Sequence, residues 1–309
     1  MRSLLALLPL ALLAALGCSS GDDPGGTGGG GGGTGGGGTG GGGGEVPPIG
    51  GDRPVEVFVP SGYQEGTPTP LVILLHGYTA SGLVQELLFQ VRPVAEARGF
   101  LYAHPDGTFD AQGNRFWSAT DACCNFYGSA VDDSAYLRRV VEEIQARFTV
   151  DPKRIYFLGH SNGAFMSFRM ACDHADLIAA VAGLAGAMPA DAADCAPSEP
   201  VAAAQIHGTA DATILYDGGS LNEVPYPGAL ASAARWAEIG GCGATPTAGQ
   251  AMDLDGSVMG AETSTQVFGG CDPGGGAELW TIEGGGHVPG LTTAFAPAVL
   301  DFLFAHPKP

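Results

Sequence analysis

Residues 154–163 read RIYFLGHSNG, an apolar run followed by a serine between two glycines. The run Arg154–Leu158 is β-rich and almost continuously apolar, as a buried parallel strand is. Gly159 to Gly163 fits the pattern G-x-S-x-G, and helical spacing begins at Gly163. In this context the serine occupies a strained turn that lifts its hydroxyl clear of the sheet, above a helix N-terminus. We therefore predict that Ser161 is a nucleophile; the alternative is an ordinary glycine-rich turn.

Short β-rich runs alternate with helical patterns on both sides of this turn. The predicted strands are Val55–Val59, Leu71–Leu75, Phe100–Ala103, Arg154–Leu158, Ile178–Leu184, Val201–Ile206 and Glu278–Ile282. The predicted helices are Gly82–Arg98, Asp132–Phe148, Gly163–Cys172, Ala229–Ile239 and Thr292–Phe304, with Asp132 and Asp133 suited to cap the second. This alternation predicts an α/β fold, a doubly wound and mostly parallel sheet with helices on both faces.

A serine hydroxyl is a weak nucleophile until a base takes its proton, so a histidine is required. In this kind of fold the acid and then the histidine follow the serine along the chain. His287 follows three glycines in a loop after Glu278–Ile282, and we predict that it is the base; the alternative is a surface histidine made mobile by its glycines. His306 lies beyond the last helical pattern, where a solvated terminal residue is expected.

The acid is expected just after a strand, between the serine and the histidine. Val201–Ile206 runs directly into HGTAD, which ends at Asp211, and this glycine-containing turn could bring a carboxylate beneath the imidazole. We predict that Asp211 is the acid. The alternatives are a turn aspartate that bonds its own backbone, and Asp217 as the acid in its place.

Acyl transfer also needs donors aimed at the developing oxyanion. The backbone N–H of Asn162, the residue after the nucleophile, is one such donor because the geometry of the turn places it there. After Leu71–Leu75 comes HGYT, in which Gly77 lets the backbone approach closely. We predict Tyr78 as the second donor, with Thr79 as the alternative.

Several motifs together carry a resemblance to a known family. They are Leu75–Gly77, Val131–Asp133, Ser161–Ala164, His207–Asp211 and Gly284–His287. Over roughly residues 52–304 the chain resembles the polyhydroxybutyrate depolymerase and feruloyl or acetylxylan esterase group of α/β-hydrolases. The resemblance implies the α/β-hydrolase fold and ester hydrolysis through an acyl-serine, with Ser161, Asp211 and His287 as the triad. Many relatives have a tryptophan shortly after the loop histidine, whereas here Val288 follows directly.

The long segment His104–Ala130 lies at the carboxyl end of a predicted strand, where ligands bind in open α/β sheets. It contains Phe109, Phe116, Trp117, Phe126 and Tyr127. We predict that this segment forms the substrate wall and that Trp117 is a substrate-binding residue. The alternative is that the aromatic side chains pack within the loop.

The first 18 residues have the features of an export signal. Arg2 precedes an apolar run that is too short to span a bilayer as a mature helix. The run ends in ALGC, similar to a bacterial lipobox, which predicts lipidation of Cys18 and membrane contact through that lipid only; ordinary secretion is the alternative. Residues 19–44 are mostly glycine and are predicted to be a flexible tether to a catalytic domain at 45–309.

The chain has seven cysteines, and lipidation of Cys18 would leave six. Six can close as three disulfides in an oxidising compartment. The predicted disulfides are Cys172–Cys195, Cys242–Cys271 and, with two free thiols as the alternative, Cys123–Cys124. No cysteine or histidine spacing suggests zinc, and neither a metal nor a cofactor is expected.

The net charge of −19 repels nucleic acid and anionic polymers, and no cluster of lysine or arginine offsets it. Neutral esters, small or polymeric, are compatible with this negative charge. The motifs together predict an exported serine esterase acting on feruloyl or acetyl esters of plant polysaccharide, or on a hydroxyalkanoate polyester. The alternatives are a serine peptidase with the same triad and a non-catalytic surface lipoprotein; the complete triad disfavours the second.

Overall fold

Apolar parallel strands form the centre of the molecule. The structure is a computed structural model and describes residues 48–309. Its strands are β1 (Val57–Phe58), β2 (Thr69–Leu75), β3 (Leu101–Ala103), β4 (Thr108–Phe109), β5 (Arg115–Phe116), β6 (Val150–His160), β7 (Ala180–Leu184), β8 (Ala202–Gly208), β9 (Gly218–Leu221), β10 (Val224–Pro227), β11 (Thr247–Ala248), β12 (Thr263–Phe268) and β13 (Gly276–Ile282). Its α-helices are α1 (Gly82–Phe89), α2 (Val91–Arg98), α3 (Asp133–Arg147), α4 (Asn162–Asp173), α5 (Ala229–Ile239) and α6 (Phe295–Ala305).

The main sheet has the strand order β1-β3-β2-β6-β7-β8-β13-β12-β11. The six strands from β3 to β13 are parallel to one another. The outer strands β1, β12 and β11 pair in the antiparallel direction. The prediction of a mostly parallel α/β sheet is therefore confirmed.

Each central strand contributes side chains to two separate cores. In β2, Leu71 and Ile73 belong to the core that also contains side chains of α3, α4 and α5, whereas Val72 and Leu74 belong to the core on the opposite face, which contains side chains of α2 and α6. All four side chains are fully buried, and burial of such a side chain contributes roughly 1.5–3 kcal/mol. Helices on both faces thus explain the continuous apolar runs that the sequence shows.

The predicted helix Gly82–Arg98 is two helices, with the break at Gln90. This residue has φ 54° and ψ 44°, in the left-handed region. Its N–H still bonds the carbonyl of Glu86, while the Glu86 carboxylate accepts the N–H groups of Val91 at 3.2 Å and Arg92 at 2.9 Å. The Glu86 side chain therefore caps the N-terminus of α2, where a new helix begins.

Other boundaries differ at the edges of the fold. The last helix begins at Phe295 rather than Thr292, and Asp132 caps α3 by accepting the N–H of Ala135. The sequence pattern missed β12, whose residues TSTQVF are largely polar because the strand lies close to the open edge of the sheet. It also missed β11 and the two small antiparallel pairs, β4 with β5 and β9 with β10.

Three disulfides cross-link the described part of the chain. They are Cys123–Cys124, Cys172–Cys195 and Cys242–Cys271, the pairs that were predicted. Among residues 48–309 no helix is long and apolar enough to cross a bilayer, and no group of histidine, cysteine and acidic side chains could hold a metal ion. The predicted signal, Cys18 and the tether lie outside the described residues.

Candidate active site

Ser161 stands at the carboxyl end of β6, immediately before α4. Its backbone has φ 54° and ψ −121°, a strained conformation that costs on the order of 1–3 kcal/mol. A Cβ on Gly159 would lie 2.1 Å from the carbonyl oxygen of Gly163, and one on Gly163 would lie 2.2 Å from that of Leu75. Both positions therefore require glycine, because the strand, the turn and the helix meet at backbone contact there.

The structure brings the three predicted side chains of the triad together. The Ser161 hydroxyl lies 2.9 Å from Nε2 of His287, and Nδ1 of His287 lies 2.8 Å from Oδ2 of Asp211. Because a carboxylate only accepts hydrogen bonds, Nδ1 carries the proton and Nε2 is free to accept from the serine. The two sequence alternatives lie elsewhere: Asp217 is exposed, and His306 follows the end of α6.

The Asp211 carboxylate is held by hydrogen bonds to both of its oxygens. Oδ1 accepts the N–H groups of Thr213 at 2.8 Å and Ile214 at 2.9 Å. Nε2 of His207 lies 3.3 Å from Oδ2, the oxygen that also bonds His287. Burial alone would raise the pKa of Asp211, but the bonds from His207 and His287 outweigh it and place this pKa well below its ordinary value. Asp211 is therefore a fixed negative charge beneath the imidazole.

The loop that carries His287 is fastened to the loop that carries Asp211. Ala210 donates its N–H to the Gly285 carbonyl at 2.9 Å, and the Gly284 N–H bonds the hydroxyl of Thr209 at 2.8 Å. The two loops approach most closely at Gly208, where a Cβ would lie 2.2 Å from the Gly285 carbonyl oxygen. The loop that carries His287 is therefore held by backbone contacts with the loop that carries Asp211.

The first predicted oxyanion donor is the N–H of Asn162, in the first turn of α4. Within the described residues this N–H has no hydrogen-bond partner. The loop after β2 runs beside the nucleophile, since a Cβ on Gly77 would lie 3.4 Å from Cβ of Ser161. The Tyr78 N–H belongs to the peptide bond that follows Gly77. It therefore lies in the neighbourhood of Ser161.

The second donor was open between Tyr78 and Thr79, and hydrogen bonding separates them. The Thr79 N–H is engaged, because it donates to the carbonyl of Arg115 at 2.9 Å. The Tyr78 N–H has no partner in the part of the chain that the structure describes. Tyr78 therefore keeps a free donor next to Ser161, and Thr79 does not.

The comparisons with known proteins agree with this fold. A family model described as alpha/beta hydrolase fold matches residues 70–220. The protein named "Putative esterase NocK", from Nocardia uniformis subsp. tsuyamanensis, is 30% identical over 241 residues, which are 75% of this chain and 69% of that protein. This chain belongs to the α/β-hydrolase esterases.

Two further relatives of this α/β hydrolase extend the comparison. Feruloyl esterase B of Piromyces equi is 30% identical over 246 residues, or 77% of the present chain, which spans only 43% of that relative's length. The solved structure of an acetyl xylan esterase from Aspergillus awamori superposes with a TM-score of 0.57 at 15% identity, covering 81% of this chain and 93% of that one. At this identity the superposition shows the shared fold.

One predicted site residue of this hydrolase requires correction. Trp117 is fully buried and therefore cannot form part of a substrate wall. Its indole N–H donates to the carbonyl of His76 at 3.2 Å, and its backbone bonds the Asn162 side chain. Of the aromatic residues in the same segment, Phe109 and Tyr127 are more than half exposed. Trp117 packs instead in the hydrophobic core, against His76 and Tyr136, which both lie outside this segment.

Sequence reasoning missed two histidines that contact the triad of this hydrolase. His160 donates from Nε2 to the carbonyl oxygen of His287 at 2.8 Å, and burial lowers the pKa of His160 to about 4. His207 bonds both Asp211 and, at 2.8 Å, the carbonyl oxygen of Ile214. Both lie inside the motifs that identified Ser161 and Asp211, so their position was a signal, but their partners are set by the fold.

Proposed function

We propose that this α/β hydrolase cleaves carboxylic esters through an acyl-serine intermediate. The observation that carries the proposal is the continuous series of hydrogen bonds from Asp211 through His287 to Ser161. The residues that follow Gly77 and Ser161 in the chain, Tyr78 and Asn162, each have a backbone N–H without a hydrogen-bond partner among residues 48–309. Nucleophile, base, orienting acid and oxyanion donors are the parts that acyl transfer needs.

The chemistry follows from the protonation states. Ser161 Oγ attacks the ester carbonyl carbon as Nε2 of His287 takes the hydroxyl proton, and the N–H groups of Tyr78 and Asn162 donate to the oxyanion. His287 then returns the proton to the departing alcohol, which leaves an acyl-serine. Water repeats the cycle: His287 takes its proton, the acid is released and Ser161 is restored.

The proposed substrates are neutral esters, either feruloyl or acetyl esters of plant polysaccharide or a hydroxyalkanoate polyester. Relatives carry the names feruloyl esterase and poly(3-hydroxyalkanoate) depolymerase, which supports both classes. The net charge of −19 supports an uncharged substrate over a polyanion.

The test is hydrolysis of 4-nitrophenyl acetate, methyl ferulate, acetylated xylan and a hydroxybutyrate oligomer by wild type and Ser161→Ala. Loss of the nucleophile is expected to lower kcat by roughly 10⁴-fold or more. Ser220→Ala, which changes an exposed serine on β9, is the matched control and should keep wild-type rates. No turnover of any ester by folded wild type would overturn the proposal, and cleavage of an anilide alone would indicate a peptidase.

The proposal includes export and attachment of a lipid to Cys18. The three disulfides support an oxidising compartment, where such bonds persist. The test is incorporation of a radiolabelled fatty acid by wild type and by Cys18→Ala. Label in wild type alone would support the anchor, and equal label in both would contradict it.

A further inference from the structure

The two oxyanion donors belong to different segments of the chain. Asn162 begins α4, whereas Tyr78 lies in the loop after β2, 84 positions earlier by subtraction of their numbers. The sheet sets the adjacent strand ends, since Leu75 of β2 pairs with Gly159 of β6. The loop beyond β2 needs a further constraint, because an oxyanion hole works only when both donors converge on one oxygen.

Trp117 is joined to the first donor residue by two hydrogen bonds. The Asn162 side chain accepts the Trp117 N–H at Oδ1, at 2.7 Å, and donates from Nδ2 to the Trp117 carbonyl at 2.9 Å. Both residues are fully buried. The two-point contact therefore fixes the Trp117 backbone relative to the start of α4 without competition from solvent.

Trp117 is joined to the second donor segment through its indole. Its Nε1–H donates to the His76 carbonyl at 3.2 Å, and the two rings pack with centroids 5.1 Å apart. Burial lowers the pKa of His76, and His76 Nε2 accepts the N–H of Gly107 at 2.9 Å. The proton of the neutral His76 ring is therefore on Nδ1.

That proton and the N–H of Ala80 together set the direction of the second donor. Nδ1 of His76 donates to the carbonyl oxygen of Gly77 at 2.8 Å, and the same oxygen accepts the Ala80 N–H at 3.1 Å. This carbonyl and the Tyr78 N–H belong to one peptide plane, in which a trans bond points them in opposite directions. Because the Gly77 carbonyl is held toward the His76 ring, the Tyr78 N–H points away from that ring.

The neighbour of Trp117 is anchored independently. Ser118 donates its N–H to the buried Asp133 carboxylate at 2.7 Å, and its carbonyl accepts from Arg169 at 2.6 Å. Trp117 is thus part of a fixed segment, and its indole can position the residues that it contacts.

We propose that Trp117 is a positioning residue that couples the two oxyanion donors, with its backbone on Asn162 and its indole N–H on His76. The inference rests on the proposed ester hydrolysis. Trp117 touches no substrate, and it acts by keeping the Tyr78 N–H in register with that of Asn162.

The test is Trp117→Phe, which removes the indole N–H and keeps an aromatic ring. Outright deletion of an oxyanion donor costs on the order of a hundredfold or more, so misplacing one is expected to lower kcat about tenfold, with KM changed less than twofold. A trifluoromethyl ketone, which forms a tetrahedral oxyanion on the serine, should bind more weakly by a similar factor. A merely structural role would not weaken this inhibitor in parallel with kcat.

The matched control is Trp236→Phe. Trp236 is also fully buried, packs against Phe168 of α4, and its indole nitrogen has no hydrogen-bond partner in the described structure. It should lose comparable stability while kcat and inhibitor affinity stay within twofold of wild type. If Trp117→Phe does not fold, replacement of Trp117 by benzothienylalanine removes only the N–H and keeps the shape of the ring.

The outcomes separate the two proposals. If wild type is active and loss of the Trp117 N–H leaves kcat and inhibitor affinity unchanged, the positioning role alone is overturned. Equal losses in the Trp236 variant would do the same, because they would show a general packing effect. Absence of ester turnover in folded wild type would overturn the proposed function and the positioning role together.

Discussion

At the scale of single residues, Asp211 determines which nitrogen of His287 carries the proton. Its carboxylate can only accept, so the proton of His287 is on Nδ1 and Nε2 faces Ser161 as an acceptor. Oδ1 is fully engaged by the two backbone N–H groups that follow in the chain. The sequence pattern located Asp211 by its position after a strand, and the structure shows that Asp217, its alternative, is exposed.

Asp211→Asn is expected to lower kcat by roughly 10⁴-fold, because an amide N–H facing Nδ1 favours the wrong imidazole tautomer. The measurement is kcat on 4-nitrophenyl acetate, with circular dichroism to verify folding. Asp217→Asn makes the same chemical change at an exposed position and should leave kcat within twofold of wild type. Near-normal activity of the Asp211 variant would contradict the assignment of the acid.

At the scale of elements, the break between α1 and α2 shows how a helix pattern can continue across an interruption. The apolar spacing from Gly82 to Arg98 is consistent with one helix, yet Gln90 adopts a left-handed backbone and the Glu86 side chain caps α2. Glu86 also accepts the hydroxyl of the buried Tyr102 at 2.6 Å. This long-range contact holds the Glu86 side chain in its capping position. The spacing of residues along the chain does not predict the contact.

Gln90→Gly is expected to raise the free energy of unfolding by roughly 0.5–1 kcal/mol, because glycine adopts a positive φ without the steric penalty of a Cβ. The Gln90 side chain is exposed, so little packing is lost. The measurement is the urea midpoint, and the expected gain corresponds to about 1–4 °C in Tm. Gln90→Ala keeps the Cβ and is the control; an equal gain in that variant would exclude relief of the left-handed strain as the cause.

At the scale of the whole molecule, groups buried around the active site link folding to pH. Burial lowers the pKa of His160 to about 4 and also lowers that of His76, so both rings are neutral in the native state. The unfolded chain binds a proton at the ordinary histidine value of 6.5, so stability falls as the pH drops below 6.5. The pKa of Asp211 is lowered against the opposing effect of burial, chiefly by bonds from His207 and His287, so further stability is lost below the ordinary aspartate value of 3.8.

The urea midpoint is expected to fall between pH 7 and pH 4, with His160 contributing at most about 3 kcal/mol of the loss. His160→Gln keeps a side-chain donor for the His287 carbonyl and removes the titrating ring, so its midpoint should depend less steeply on pH. The control His306→Gln, at the end of α6, should keep the wild-type slope. An unchanged slope in His160→Gln would show that this buried ring is not a source of the acid sensitivity.

The features that the sequence determined by itself are local ones. The strand, turn and helix around Ser161 were predictable because apolar runs, flanking glycines and helical spacing all lie within twenty residues of the serine. The parallel sheet was predictable for the same reason, since strands buried on both faces are recognisable one at a time. The chain order of serine, acid and histidine then reduced the candidates for the triad to a few.

The features that only the tertiary structure decided depend on which distant groups meet. The Thr79 N–H donates to the Arg115 carbonyl, whereas the Tyr78 N–H has no partner in the part of the chain that the structure describes. Trp117 lies in an aromatic loop that resembled a substrate wall, yet its indole N–H finds a buried carbonyl, and the ring lies inside the core. Periodicity along the chain reports which faces are buried, whereas the partner of each buried polar group is set only when remote segments pack together.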